Sequence, residues 1–178
     1  TVSYVLSDGA NGGLASNYSL ASSNTTGAIT AKPLTISAAI VADKTYDGSA
    51  ITGLVTPGSL SGLVGSQTLT VAASGIFNNN DANVGMNKPA TITYTLANGT
   101  GGLASNYSLA AGSATGNILT KPLTITANNA TKTYGTSLNY SSGSTAFTSS
   151  GLVGSQTIGS ITVSSLGAGV SANVGTYA

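Results

Sequence analysis

The chain of 178 residues carries five Lys, four Asp and no Arg, Glu, His, Cys or Trp, for a net charge of +1. Charged residues are 5% of it, against about 25% in an ordinary globular chain. This composition excludes the clustered basic patch of a nucleic-acid binder, removes any disulfide framework and withholds the usual general bases of an enzyme. Hydrophobic residues still reach 40% and fall in alternating runs, so the chain reads as folded rather than as a Gly- and Ser-rich linker.

In chain order, residues 1–6 (TVSYVL) alternate weakly, the turn cluster SDGANGG follows, and residues 17–20 read as a short strand. Residues 28–39 read as one long strand through Lys32 and Pro33, with Leu34 and Ile36 on one face and Thr35 and Ser37 on the other. Pro lacks a backbone donor and suits the first residue of a strand, so Pro33 marks the point of entry. ADKTYDG at 42–48 ends in an Asp-Gly turn, residues 67–73 form a strand with Leu69 and Val71 on one side, and NNNDANVG at 78–85 is a loop. Residues 91–97 are the cleanest strand, with Ile92, Tyr94 and Leu96 inward and Thr91, Thr93 and Thr95 on the wet face. Leu123 to Thr126 repeat the alternation of 34–37 behind Pro122. No run shows a 3.6-residue period and none approaches the roughly 18 apolar residues of a membrane span, so the expectation is all-β with little or no helix and no transmembrane helix. Short strands with turn clusters between them point to small β-sandwiches, with immunoglobulin-like and β-grasp-like strand orders both open.

The organising signal is repetition. GGLASNYSL at 12–20 returns at 101–109, KPLTI at 32–36 returns at 121–125 and GLVGSQT at 62–68 returns at 151–157, each 89 residues later. KTYDG at 44–48 matches KTYG at 132–135, and ANVG at 82–85 matches 172–175. A period of this size is a domain rather than a solenoid turn. The chain divides into the C-terminal part of one module (1–31), a complete module (32–120) and the N-terminal part of a third (121–178). ANVGTYA at 172–178 reads into TVSYVLSDG at 1–9 as ANVGMNKPA at 82–90 reads into TITYTLANG at 91–99. The expectation is a unit of a longer repetitive polymer, in which a module that ends at residue 178 lacks the counterparts of strands 91–97 and 106–109 and seeks a donor strand.

Candidate chemistry is sparse. The acids are Asp8, Asp43, Asp47 and Asp81, and with no His, Cys or Glu a Ser or Thr nucleophile would need a Lys base that nothing places. The chain is expected not to be an enzyme, with no catalytic residues, no cofactor and no metal site. A calcium ion could take the oxygens of NNNDAN at 78–83 with Asp43 or Asp47, but the spaced acidic run is missing and the third module has Ser171-Ala172-Asn173 there, so a structural turn is the favoured reading. Tyr4 pairs with Tyr94, Tyr18 with Tyr107 and Tyr46 with Tyr134; recurrence in non-identical modules marks core positions rather than a sugar-stacking platform. Tyr140, Tyr177, Phe77 and Phe147 lack an aromatic counterpart and are assigned to the surface. The acceptor patterns at Asn17, Asn24, Asn98, Asn106 and Asn139 read as coincidence in an Asn- and Ser-rich chain. A self-formed Lys–Asn crosslink would use Lys44 or Lys132 and is disfavoured for want of a buried acid.

The succession KTYDG, GLVGSQTLTV, NVG, NYSL and KPLTI resembles the YDG domain of bacterial surface exoproteins over 32–120, and residues 121 onward, with Lys132 to Gly135 and Asn173 to Tyr177, resemble the companion MBG domain of YGX type. One departure is that Asp47 has no equivalent after Tyr134. The resemblance implies tandem modules of a large secreted or surface-attached protein of the filamentous-haemagglutinin-like adhesin kind, with no catalytic residues to carry over. The implied place is extracellular, at the bacterial cell surface. The function it implies is a rigid stalk, spacer or self-associating filament backbone, whose partners are neighbouring modules or copies of itself, end to end or by strand complementation. The alternative is an adhesive module whose loops, such as 78–85 or 141–151, contact a glycan or a host protein.

Overall fold

The computed structural model describes residues 2–21, 25–140 and 143–177. The Asn24 acceptor pattern and the first residues of the 141–151 loop lie outside them. Among the described residues the strands run in order as β1 (Lys32–Ile36), β2 (Ile40–Val41), β3 (Lys44–Thr45), β4 (Val55–Thr56), β5 (Leu60–Ser61), β6 (Leu69–Phe77), β7 (Gly85–Asn98), β8 (Tyr107–Leu109), β9 (Gly112–Leu119), β10 (Thr124–Ala127) and β11 (Phe147–Ser150). Helix among the described residues is limited to 3-10 turns at Ala15–Asn17, Asn78–Asn80, Ala104–Asn106 and Leu166–Ala168. The fold is all-β.

The β6–β7 hairpin is the frame of the first module. Its strands pair antiparallel from Leu69 opposite Asn98 to Phe77 opposite Ala90. Asn79 and Asn80, at φ +58° and +57°, make the turn, a conformation that Asn tolerates better than most side chains. β7 continues this sheet to β9, and β9 pairs in parallel with β3, so the strand order is β3-β9-β7-β6. The β2–β4 pair lies over one face of the sheet, and between them Ala39, Val41, Val55, Phe77, Ala90, Ile92 and Ile118 form the core. A third sheet, β5-β1-β8, closes one side, with Pro33 of β1 opposite Ser108 of β8 in a parallel ladder. The parallel pairings β1–β8 and β3–β9 set this module apart from a purely antiparallel immunoglobulin order.

The alternation of Ile92, Tyr94 and Leu96 against three exposed Thr residues is found as expected. Three other expectations are corrected. Phe77, assigned to the surface, is 0% exposed and sits at the centre of the core. The predicted strand at 28–39 is shorter, because only Lys32–Ile36 finds ladder partners, on β5 and β8. The predicted strands at 1–6 and 17–20 do not form among the described residues, although residues 18–20 match β8 letter for letter. β8 is a strand because β1 pairs with it, and YSL at 18–20 has no such ladder. Pairing outweighs local propensity here.

Beyond Leu119 the architecture thins. β10 pairs antiparallel with β11, Ser144 bridges Ile161, and the Leu138 amide donates to the Ala168 carbonyl at 3.0 Å. Residues 161–167 alternate inward and outward as 71–77 do, but apart from that bridge they carry no strand.

Candidate functional site: the joint and the open cleft

The KTYDG turn holds the end of the complete module. Lys44, its side chain mostly buried, donates from Nζ to the carbonyls of Ser49 at 3.0 Å and Ile51 at 2.7 Å, and pairs with Asp47 at 2.7 Å. Asp47 also accepts from the Ser49 amide at 2.9 Å, closing an Asx turn that Gly48 completes at φ +78°. These bonds favour the ionised carboxylate, and the Lys44 hydrogen bond first, then the Ser49 amide, hold the Asp47 pKa below its ordinary value. In the third module, Lys132 donates to the carbonyls of Thr136, at 3.0 Å, and Gly169 without any acid. The lysine is therefore the shared structural element of the two turns, and Asp47 an addition to one of them.

The second recurrent element is a tyrosine that locks GLVGSQT. The Tyr107 hydroxyl accepts from the Val64 amide at 3.1 Å and donates to the Gln67 side-chain oxygen, so the loop at 62–68 is tied to β8. Gln156 and Val153 are the counterparts of Gln67 and Val64. Gln156 Nε2 donates to the Tyr46 hydroxyl at 2.6 Å, across the joint. A Cβ on Gly48 would stand 3.1 Å from Val153 Cγ1, so the Asp-Gly turn and the 151–157 loop are in close approach. The Tyr46 amide donates to the Leu119 carbonyl at 2.9 Å, immediately before the Lys121-Pro122 step. The YDG turn of one module is thus both its own closing latch and its contact with the next.

The third element is a cleft of about 610 Å³ between residues 127–140 and 163–177. Tyr134, Leu138, Tyr140, Val163, Val174 and Tyr177 are among its walls. Gly167 occupies the place of Phe77, and the ring of Tyr177 lies where its Cβ would be, 2.6 Å away. Tyr177 thus fills part of the volume Phe77 takes in the complete module, which is why an aromatic could be central in one module and have no aromatic counterpart in the other.

The sequence's other candidates separate. Asp81 pairs with the buried Lys88 and accepts from the Asn83 amide at 3.0 Å, and the Lys88 bond first, then Asn83, lowers its pKa. Asp43 accepts from Asn117 at 2.7 Å, and Asp8 from the Ala15 amide at 2.7 Å. Each acid has its own local partner, and among the described residues no cluster of three metal-ligating acids, His or Cys forms. Tyr46, Tyr94 and Tyr107 are core or core-packed as expected, whereas their counterparts Tyr134, Tyr4 and Tyr18 are exposed, in segments with no comparable sheet around them.

No helix among the described residues is long and apolar enough to cross a membrane. No curated protein and no solved structure matches the chain. Two family models do: that of the YDG domain over residues 30–115, and that of the MBG domain (YGX type) over residues 123–178. The turn, the tyrosine lock and the cleft therefore belong to a chain that carries a YDG domain followed by an MBG domain of YGX type.

Proposed function

We propose that this chain is a structural repeat segment of a secreted, extracellular bacterial fibre or adhesin, a rigid spacer or self-associating backbone at the cell surface. Its partners are neighbouring modules or copies of itself, met end to end or by strand complementation. The observation that carries this reading is the joint: β9 ends at Leu119, β10 begins at Thr124, and Gln156 holds Tyr46 across the gap. A connection this short, braced by a side-chain bond on one flank, leaves the two domains little freedom to swing. The reading includes no catalysis, in keeping with four carboxylates each engaged in a local bond. Small-angle scattering of the chain in dilute solution tests it. Curves that fit one fixed interdomain arrangement support a rod, and curves that require a broad ensemble of arrangements overturn it.

A second reading, a module that binds a glycan or a host protein, is favoured by one feature, the convergence of Tyr134, Tyr140 and Tyr177 on the cleft. Binding of the chain on a glycan array, abolished by Tyr140→Ala, would move the assignment to that reading.

A further inference from the structure

The four-stranded sheet of the YDG domain has two ends of unlike character. At one end β3 is two residues long, Lys44, Asp43 and Asp47 stand on or beside it, and the register of the neighbouring β7–β9 pair shifts between Gly85 and Lys88. Short length, charge and local irregularity are the devices that keep a sheet edge from pairing with another chain. At the other end β6 is nine residues long, reads LTVAASGIF without charge or Pro, and keeps an unbroken register with β7. It lies well inside residues 30–115, the span matched to the YDG domain. None of the protective devices is present on it.

The hydrogen bonds fix which groups of β6 face outward. The Thr52 amide donates to the Gly75 carbonyl at 3.0 Å, and the Phe77 amide donates to the Ala50 carbonyl at 2.8 Å, both on the side away from β7. Backbone groups alternate sides along a strand, so Leu69, Val71 and Ala73 direct their N–H and C=O groups to that same side. Among the described residues they have no ladder partner there, since the bridge on that side joins Ile51 to Ile76. Their side chains are half-buried on the core face, while Thr70, Ala72 and Ser74 on the other face are exposed.

We infer that this edge pairs with the same edge of a second copy, β6 against β6, antiparallel about a two-fold axis at Val71, so that two YDG domains share one continuous sheet. The inference rests on the self-associating form of the reading above and names its contact. The register is the one that uses every free group: Val71 faces Val71, Leu69 faces Ala73, and each of these pairs exchanges both of its hydrogen bonds. A slip in one direction would set Leu69 against Gly75, whose carbonyl Thr52 already holds, and a slip in the other would set Ala73 against Gln67, whose amide is bonded to Val64. The side chains agree with this register. Leu stands opposite Ala and Val opposite Val on the core face, Thr70 opposite Ala72 on the outer face, and no like charges meet. Beyond the paired stretch, residue 76 of one copy comes level with residue 66 of the other. The exposed Ile51–Ile76 pair then lies beside a loop whose Val64 is exposed as well, which favours a copy of this chain over an unrelated extended peptide.

Thr70→Cys and Ala72→Cys place thiols at exposed positions that face one another across the seam, in a chain with no native Cys. Full-length chains of the two variants are mixed under mild oxidation. A covalent heterodimer is expected in about tenfold or greater excess over the homodimer of either variant, because identical positions are offset along the seam and their Cα atoms exceed bridging distance. Ala73→Pro is the second variant. The Ala73 N–H faces away from β7, so the change spares the β6–β7 ladder while removing a seam bond and setting a ring against the partner. Sedimentation is expected to show the dimer's dissociation constant raised about tenfold or more, with circular dichroism unchanged. An undiminished dimer in folded Ala73→Pro overturns the seam. Homodimers as abundant as the heterodimer, in a chain that sediments as an associated species, also overturn the seam and leave self-association standing. Monomers at every concentration, with no heterodimer, overturn both the seam and the self-associating form, and leave the rigid spacer to the scattering test.

Discussion

Lys88 is a cation that the YDG domain has taken almost wholly out of water. Its Nζ is paired with Asp81 and lies 5.9 Å from the centroid of Phe77, the residue at the centre of the core. A buried ammonium stripped of its counter-charge is costly, while an apolar residue of similar length in its place is often tolerated. Lys88→Met is therefore expected to disturb the urea midpoint less than Asp81→Ala, which leaves the cation behind. Phe77→Ala empties the core and is expected to cost about 3–5 kcal/mol in urea unfolding. The acids also give a pH signature. Asp47 and Asp81 have folded-state pKa values lowered from 3.8 by their lysines and neighbouring amides, so the native state binds protons less readily than the unfolded chain. The stability they contribute is fully present above the unfolded value and is lost as pH falls through the lowered folded values. Thermal midpoints are expected to stay flat from neutral pH to about pH 5, and to fall below about pH 4. The fall should be shallower in the Asp47→Asn variant.

At the scale of the element, the tyrosine lock shows what the chain's repetition encodes. Tyr107→Phe keeps the buried ring and removes two hydrogen bonds, to Val64 and Gln67. It is expected to cost about 1–2 kcal/mol in the same unfolding measurement. Tyr18→Phe, on the exposed copy, is expected to leave the unfolding of the dilute chain unchanged. The sequence made the lock partly legible, because recurrence of Tyr107 and its mates marked core positions. The same criterion misplaced Phe77, whose counterpart is Gly167 and whose volume is partly filled from elsewhere by Tyr177. β7 was readable from its clean alternation. β9 was not, since GSATGNIL offers few large apolar side chains and is held between β3 and β7 by ladder bonds. The expected strand at 1–6 alternates much as β7 does, yet residues 2–6 are not a strand, because alternation specifies which face would be buried and not whether a ladder forms. The joint was legible as a Lys-Pro step, but the bond from Gln156 to Tyr46 joins residues 110 apart in sequence and had no local signal.

For the whole molecule, the YDG turn couples a domain's internal closure to its outward contact. Tyr46 packs against the core, receives its backbone partner from Leu119 and offers its hydroxyl to Gln156. Gln156→Ala is expected to leave the unfolding of the YDG domain unchanged while widening the spread of interdomain orientations, seen as loss of a single arrangement in residual dipolar couplings. The bond has a further consequence. Because it sits off the axis of the covalent link, it opposes rotation about that link as well as bending. Successive units joined in this way would keep a constant angular phase, and a fibre made of them would have a definite pitch, visible as discrete layer lines in its diffraction. Removal of the Gln156 side chain would blur those lines while leaving the axial spacing in place.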